Sequence, residues 1–237
     1  MNNAARATAL IEELNATAIA DRAPGFPSDP PRFVAVQADA SNRASIVQMI
    51  DRVIATFGRI DVVASNSGWT RIANFSDMDD NLDDDLWEKT YRCNVTAHFW
   101  LMHAVKPHLE KTNGAFVSTA SMAGVNPGGS SLPYAISKAA QIHLVKTLSK
   151  ICAPAIRVNS VSPALMLTDW GLQFSEEQQR AQMEASRLKR LITVQVRKAR
   201  ESSLFVYVRS TDTRTGYREC CAHVTVEQVN DRSKCGG

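Results

Sequence analysis

Glycine is scarce in this chain. There are 11 glycines among 237 residues, where average usage of about 7% would give roughly 17. No glycine-rich phosphate-binding turn of the G-x-x-x-G-x-G kind occurs anywhere in it. Aromatic residues are also few, at 7%. Charge of one sign is missing too: 27 basic side chains stand against 24 acidic ones, for a net charge of +3. That is too mild for a nucleic-acid-binding protein, which needs a clustered basic face. The basic stretch 187–218, with Phe205, Tyr207 and Tyr217, mimics a stacking platform but belongs to no nucleic-acid-binding motif. No apolar run approaches the roughly 18–20 residues of a membrane span. The first residues, MNNAARATALIEELNATA, lack a basic segment followed by an apolar one, so no secretory signal is read and a cytoplasmic protein is expected. The five cysteines, at 93, 152, 220, 221 and 235, form neither an even disulfide framework nor a zinc-ligand spacing, and no metal site is expected. The N-x-[ST] triplets at Asn15, Asn74 and Asn94 are then chance matches.

What the chain does have is a core: 44% of its residues are hydrophobic, too many for a disordered chain. Its length suits one α/β domain over 1–237. Residues 4–16 have helical spacing, and the Pro-rich stretch 23–32 is a loop. Residues 32–39 read as a short buried strand. Ser41 is the expected N-cap of a helix running to Phe57, with Ile46, Val47, Ile50, Val53 and Ile54 on one face and Gly58 ending it. A second strand is expected at 60–65. An acidic loop over 76–85 leads into a long helix from about 82 to 110, carrying Trp87, Tyr91, Val95 and Phe99. Residues 115–120 form a third strand, 133–150 a helix and 156–161 a fourth strand. Strands alternating with helices indicate a parallel sheet. Beyond this, 221–229 reads as helix-like.

Tyr134-Ala-Ile-Ser-Lys138 carries the sharpest chemical signal. Positions i and i+4 of a helix share a face, so phenol and ammonium can enter one cleft. A free phenol is only about 0.1% ionised at pH 7. A cation within ~4–6 Å favours the phenolate and makes the group a usable acid or base. Tyr and Lys four apart also occur often by chance, so the pair gains weight from its surroundings. Ser121 follows the strand 115–120, and ligands of parallel sheets lie at the carboxyl ends of strands. A serine there can hydrogen-bond a carbonyl or alcohol oxygen. The amide of Asn94 could hold a water against the lysine; an ordinary surface asparagine is the alternative.

Five ordered motifs now stand together: Ser65-Asn66-Ser67-Gly68 after a strand, Asn94-Val95 in the long helix, Ser121, Tyr134-x-x-x-Lys138, and Arg157-Val-Asn-Ser-Val-Ser-Pro163. Over about residues 4–194 the chain resembles the short-chain dehydrogenase/reductase family. The resemblance implies a Rossmann-type doubly wound parallel sheet and an NAD(P)-dependent oxidoreductase. A hydride would pass between a nicotinamide and a carbonyl or secondary alcohol, in secondary metabolism among other settings. It makes Tyr134 the proton donor or acceptor. Lys138 would lower the phenol's pKa and hold the nicotinamide ribose, Ser121 would orient the substrate oxygen, and Asn94 would support the proton relay. As cofactor contacts it implies Asp39 at the adenine, Asn66 at the adenine ribose and bracing the sheet, and Met166 and Thr168 at the carboxamide and phosphates. A solvated strand-end carboxylate and a gap-filling loop methionine are the plain readings of Asp39 and Met166. NADP is favoured over NAD, with Arg6 as a 2′-phosphate partner or simply an exposed helix arginine. The expected partners are a small carbonyl or alcohol substrate and further copies in a dimer or tetramer, with no membrane and no nucleic acid.

The chain also departs from that family. The opening strand, glycine-rich loop and helix are missing, so the sheet is expected to lack its first strands. Residues 32–39 then either face a gap or pair with a wrong neighbour. Pro163-Ala164 replaces the usual Pro-Gly, which costs little unless φ is positive there. Residues 196–219 form an atypical insert. A faulty reading of the gene, with an upstream exon missed and an intron translated near 196–219, would explain both ends; a transcript encoding 190–225 unchanged would refute the second part. Without the glycine loop most phosphate contacts are lost. The chain is therefore expected to bind NADPH weakly, and calorimetric titration giving a sub-micromolar Kd would overturn that. A catalytically impaired relative, acting through helices 82–110 and 133–150 as a binding or structural partner, is the alternative function. The segment 165–190, with Trp170, Leu172, Phe174 and Met183 and with Trp69 opposite, is expected to close over an apolar, polyketide-like ketone, although ordinary packing would look the same.

Overall fold

The computed structural model describes residues 12, 33–168 and 171–192, with backbone pairing alone for 203–207 and 221–225. The expected helix 4–16 and the Pro-rich loop 23–32 therefore lie almost wholly outside the described residues. Helix α1 is Arg43–Phe57. Its N-cap is Asn42 rather than Ser41: the Asn42 side chain accepts from the Ala44 and Ser45 amides, while Ser41 is engaged with Asp39. Gly58 ends the helix at φ 74, a left-handed conformation that glycine adopts without steric cost. Ile46 and Ile50 are buried, but Val47 is exposed and off the core face.

Three strands, β1 (Val62–Ser65), β2 (Ala115–Thr119) and β3 (Arg157–Val161), pair in parallel in the order β1-β2-β3. Val62 aligns with Ala115, and Ala115 with Arg157. The expected strand at 32–39 is corrected: residues 33–39 form no strand. Their apolar pattern suits a strand, but a strand exists only with a partner. Among the described residues β1 pairs with β2 alone.

The long helix is three pieces: α2 (Asp84–Tyr91), a wide π-turn (Arg92–Thr96) and α3 (Ala97–Thr112). The Ala97 amide donates back to the Arg92 carbonyl, closing the turn over five residues. Tyr91 and Phe99 are partly exposed, and the core contacts come instead from Met102, Val105 and Leu109. Helix α4 is Leu132–Cys152. Residues of α1, α3 and α4 meet Phe116 and Val158 in one cluster. Fully burying side chains of this size is worth about 1.5–3 kcal/mol each. Phe116 and Ser118 of β2 point into this helical layer and are fully buried, whereas Val117 and Thr119, on the opposite face, are only half-buried.

After β3, α5 (Glu176–Ala185) opens with a capping box between Ser175 and Gln178. Strands β4 (Ser203–Tyr207) and β5 (Cys221–Thr225) pair antiparallel. The helix-like reading of 221–229 is thereby corrected over Cys221–Thr225. Alternation through Ala222, Val224 and the β-branched Thr225 suits a strand. No helix of the described residues is long and apolar enough to cross a membrane.

Candidate active site

The carboxyl ends of the three strands carry the polar residues singled out above. Ser121 follows β2 and caps a short turn over Met122–Gly124, its hydroxyl accepting from the Ala123 amide at 3.2 Å. The Ala120 amide donates to the Val161 carbonyl and the Met122 amide to the Pro163 carbonyl, at 2.7 and 3.0 Å. These bonds fix the Ser121 turn against the loop after β3. Ala164 in that loop is not among the residues with positive φ, so alanine in place of glycine costs no strain there.

The same turn packs on α4 through Gly124, where an added Cβ would stand 2.5 Å from the Lys138 carbonyl carbon. That close approach brings Ser121 to Tyr134. The Ser131 hydroxyl caps α4 by accepting from the Tyr134 amide, which fixes where Tyr134 enters the cleft. The Ser121 hydroxyl faces the Tyr134 phenol. Burial raises the phenol above its ordinary value of 10.0, and the Ser121 hydroxyl pulls it partly back. The Lys138 ammonium lies 5.7 Å from the centre of the ring and donates to the Thr119 carbonyl at 3.1 Å and to Gln141 Oε1 at 2.9 Å. Burial of the phenol outweighs so distant and so engaged a cation. Lys138 itself is buried and pushed down to about 8 by that burial.

Asn94 lies in the π-turn and is fully buried. Its oxygen accepts from the Trp69 amide at 2.7 Å, and its nitrogen donates to the Trp69 carbonyl at 2.9 Å and the Ser137 hydroxyl at 3.0 Å. It therefore clamps the loop after β1 to α4 and does not touch Lys138. Gly68 in that loop keeps room beside the ammonium: a Cβ there would meet Asn94 Oδ1 at 3.4 Å and Lys138 Nζ at 3.5 Å. The Trp69 ring is covered by the Lys89 ammonium, 4.3 Å from its centre.

The remaining expected contacts are spread out. Asn66 is exposed at the end of β1 and makes no bond that braces the sheet. Asp39 is exposed in the turn before α1, its carboxylate held below the usual range by the Ser41 hydroxyl and amide. Met166 bridges Ile192, and the Thr168 hydroxyl accepts from the Gly171 amide at 3.3 Å. Trp170 lies outside the described residues; Leu172 and Met183 are exposed. Among the described residues no cluster of His, Cys, Asp or Glu could hold a metal.

Among the buried polar residues that escaped the sequence reading, Gln141 and His98 lie nearest the Lys138 charge. The signal was present: Gln141 follows Lys138 by three, and with Val145, Leu148 and Cys152 it occupies the buried face of α4. A polar residue at a core-facing position is informative. His98 is pushed down to about 3, mainly by burial and then by the Lys138 charge. An unfolded histidine titrates near 6.5. The neutral ring thus contributes stability that is present above pH 6.5 and lost as the pH falls toward 3, on the order of 5 kcal/mol at most. Urea unfolding at pH 7 and pH 4.5 should show a clear loss that is much smaller in His98→Gln, which has no proton to take up. An equal loss in both would sink this account.

A family model described as short chain dehydrogenase matches residues 3–179. A Streptomyces violaceoruber protein named as ketoacyl reductase 2 of the granaticin polyketide synthase is 34% identical over 141 residues, covering 59% of this chain and 56% of that protein. The 3beta-hydroxysteroid dehydrogenase 2 of Eggerthella lenta is 28% identical over 186 residues, covering 77% and 70%. The chain spans about half the length of the curated relatives it matches. Among solved structures, a 7α-hydroxysteroid dehydrogenase complexed with NADH and 7-oxo glycochenodeoxycholic acid superposes with a TM-score of 0.67 at 25% identity, over 81% of this chain and 70% of that one.

Proposed function

The chain belongs to the short-chain dehydrogenase family, and from that premise we propose that its site moves a proton at a carbonyl or secondary-alcohol oxygen while a nicotinamide dinucleotide exchanges a hydride with the carbon. One observation carries the reading: Ser121, Tyr134 and Lys138 converge at the strand ends, with the Ser121 hydroxyl facing the phenol. The donor set fits the nicotinamide half of such a cofactor. Lys138 has three N–H donors, two of them engaged inside the protein, which leaves one for a ribose hydroxyl beside Gly68. The cofactor, when bound, supplies or takes up the hydride.

The protein's part is proton chemistry and positioning. A phenol held above its ordinary value is protonated at neutral pH and can deliver its proton to a carbonyl oxygen. Ser121 fixes that oxygen at hydrogen-bond distance from the phenol. The Lys138 charge is closest to the place where phenolate charge develops and favours it there. Asn94 holds the Trp69 loop so that the floor beside Lys138 stays formed. Asn66, Asp39, Met166 and Thr168 are proposed to lie along the rest of the dinucleotide, with NADP ahead of NAD.

An apolar or polyketide-like cyclic ketone is the proposed substrate class. The names of the ketoacyl and hydroxysteroid relatives support it, as does the exposed apolar surface of Leu172 and Met183. Self-association through α2–α4 is supported by Tyr91, Phe99, Ile136 and Ile151, all apolar and outward-facing. To test the activity, the chain would be mixed with millimolar NADPH or NADH and a series of bicyclic and steroidal ketones, and nicotinamide absorbance followed. Consumption matched by alcohol formation supports the reading. No turnover at saturating cofactor supports an impaired relative that works by binding.

A further inference from the structure

We propose that Gln141 is a positioning residue for Lys138, tying its ammonium through His98 to Ser65 at the end of β1. The purpose of this link rests on the oxidoreductase reading; its geometry does not. Gln141 lies one helical turn beyond Lys138 on the buried face of α4 and is fully enclosed. Its amide fits in one orientation only. An ammonium has donors and no acceptor, so the atom 2.9 Å from Lys138 Nζ is the carbonyl oxygen Oε1. The amide nitrogen then faces Ser118 Oγ at 2.7 Å, His98 Nε2 at 2.9 Å and the Thr119 carbonyl at 3.2 Å.

A donor opposite His98 Nε2 requires that nitrogen to be unprotonated, which puts the ring proton on Nδ1. From there it is donated to the Ser65 hydroxyl, with Ser118 Oγ farther off at 3.4 Å. Ser65 is the last residue of β1, directly before Asn66. Four elements are thus joined by buried bonds in one chain: α4, β2, α3 and β1. Turning the ammonium out of the site breaks the first bond and leaves the amide oxygen buried without a partner, which costs more than an exposed bond would.

The groups facing the ammonium are Tyr134 and Gln141 on α4, Thr119 on β2, His98 on α3 and Gly68 beyond β1. Among the described residues no carboxylate pairs with it. Two neutral oxygens, one of them on Gln141, therefore favour its charged form.

The test uses the full chain without cofactor or substrate. Lysines are labelled with ¹³C at Cε, the Lys138 signal is assigned by its loss in Lys138→Arg, and its titration midpoint is read by NMR. Gln141→Met keeps the volume and removes the acceptor, so the midpoint should fall by about one unit. Gln141→Glu should raise it. Because a carboxylate cannot donate to His98 Nε2, Gln141→Glu should also move the ring nitrogen shifts of His98 toward a protonated ring. A residue that only fills space would leave the Lys138 midpoint at its wild-type value in both variants, and that result overturns the proposal. If Gln141→Met does not fold, Gln141→Glu decides alone: a raised midpoint supports the link and an unchanged one removes it. Shifted midpoints in a chain that turns over no ketone would leave this inference standing while the oxidoreductase reading falls.

Discussion

Tyr134→Phe is expected to reduce turnover by at least about 10²–10⁴-fold, the range supplied by a positioned proton donor, while leaving the fold intact. The substitution removes one oxygen. The ring keeps its contact with Gly129, where an added Cβ would stand 3.4 Å from Tyr134 Cδ1. It also keeps its place 5.7 Å from the Lys138 ammonium. Ser121 remains bonded to the Ala123 amide. The variant should therefore melt within a few degrees of the wild type. The measurement is kcat alongside the melting midpoint, with the ketone and cofactor that give turnover. An unchanged kcat in a folded variant would mean that the proton comes from elsewhere and that the convergence at Tyr134 has no catalytic use.

Gly124→Ala is expected to injure stability and catalysis together. Its Cβ would stand 2.5 Å from the Lys138 carbonyl carbon and 2.7 Å from both the Ala139 nitrogen and the Lys138 oxygen. All three are backbone atoms of α4, so no rotamer change relieves the contact. Either the turn over Met122–Gly124 or the helix must move. Overpacking of this kind costs about 1–3 kcal/mol, or a fall in Tm of roughly 2–12 °C for a domain of this size. The motion also separates Ser121 from Tyr134, and a displacement near 1 Å can cost about 10²-fold in rate. Gly128→Ala is the control. Its φ of 147 strains any side chain, but nothing lies within 4 Å of the added atom, so it should lose stability and keep its rate. Full activity in Gly124→Ala would show that the turn and the helix need not touch for the site to form.

The sequence foretells some of this structure well, for physical reasons. The strands at 62–65, 115–119 and 157–161 fall within two residues of expectation because each is a short segment rich in β-branched or apolar residues that follows a helical pattern. Tyr134 and Lys138 share a face because the helix around them is long and well capped. Residues 33–39 could not be settled from their own pattern, since pairing belongs to the neighbour as much as to the strand. Nor could the capping of α1. Ser41 and Asn42 are both good caps, and the choice depended on Asp39 claiming the serine. The task of Asn94 was hidden because it depends on a π-turn, which no residue spacing announces. The link from Lys138 to His98 was hidden because it joins residues about forty positions apart.

The π-turn of Arg92–Thr96 has a consequence for any effort to harden this protein. A wide turn amounts to one residue more than a regular α-helix would use, and that extra residue sets the rotational phase of α3 relative to α2. With it, Asn94 can reach Trp69 and Ser137 while Met102, Val105 and Leu109 still face the core. Deleting one residue there would give a straighter, more regular helix. It would also rotate one of those two sets by about 100°, so that either the clamp or the core contacts would be lost. Selection for heat resistance alone would keep the core in place and sacrifice the clamp. A screen for improved variants that never looks at turnover would therefore tend to discard the irregularity that holds the site together.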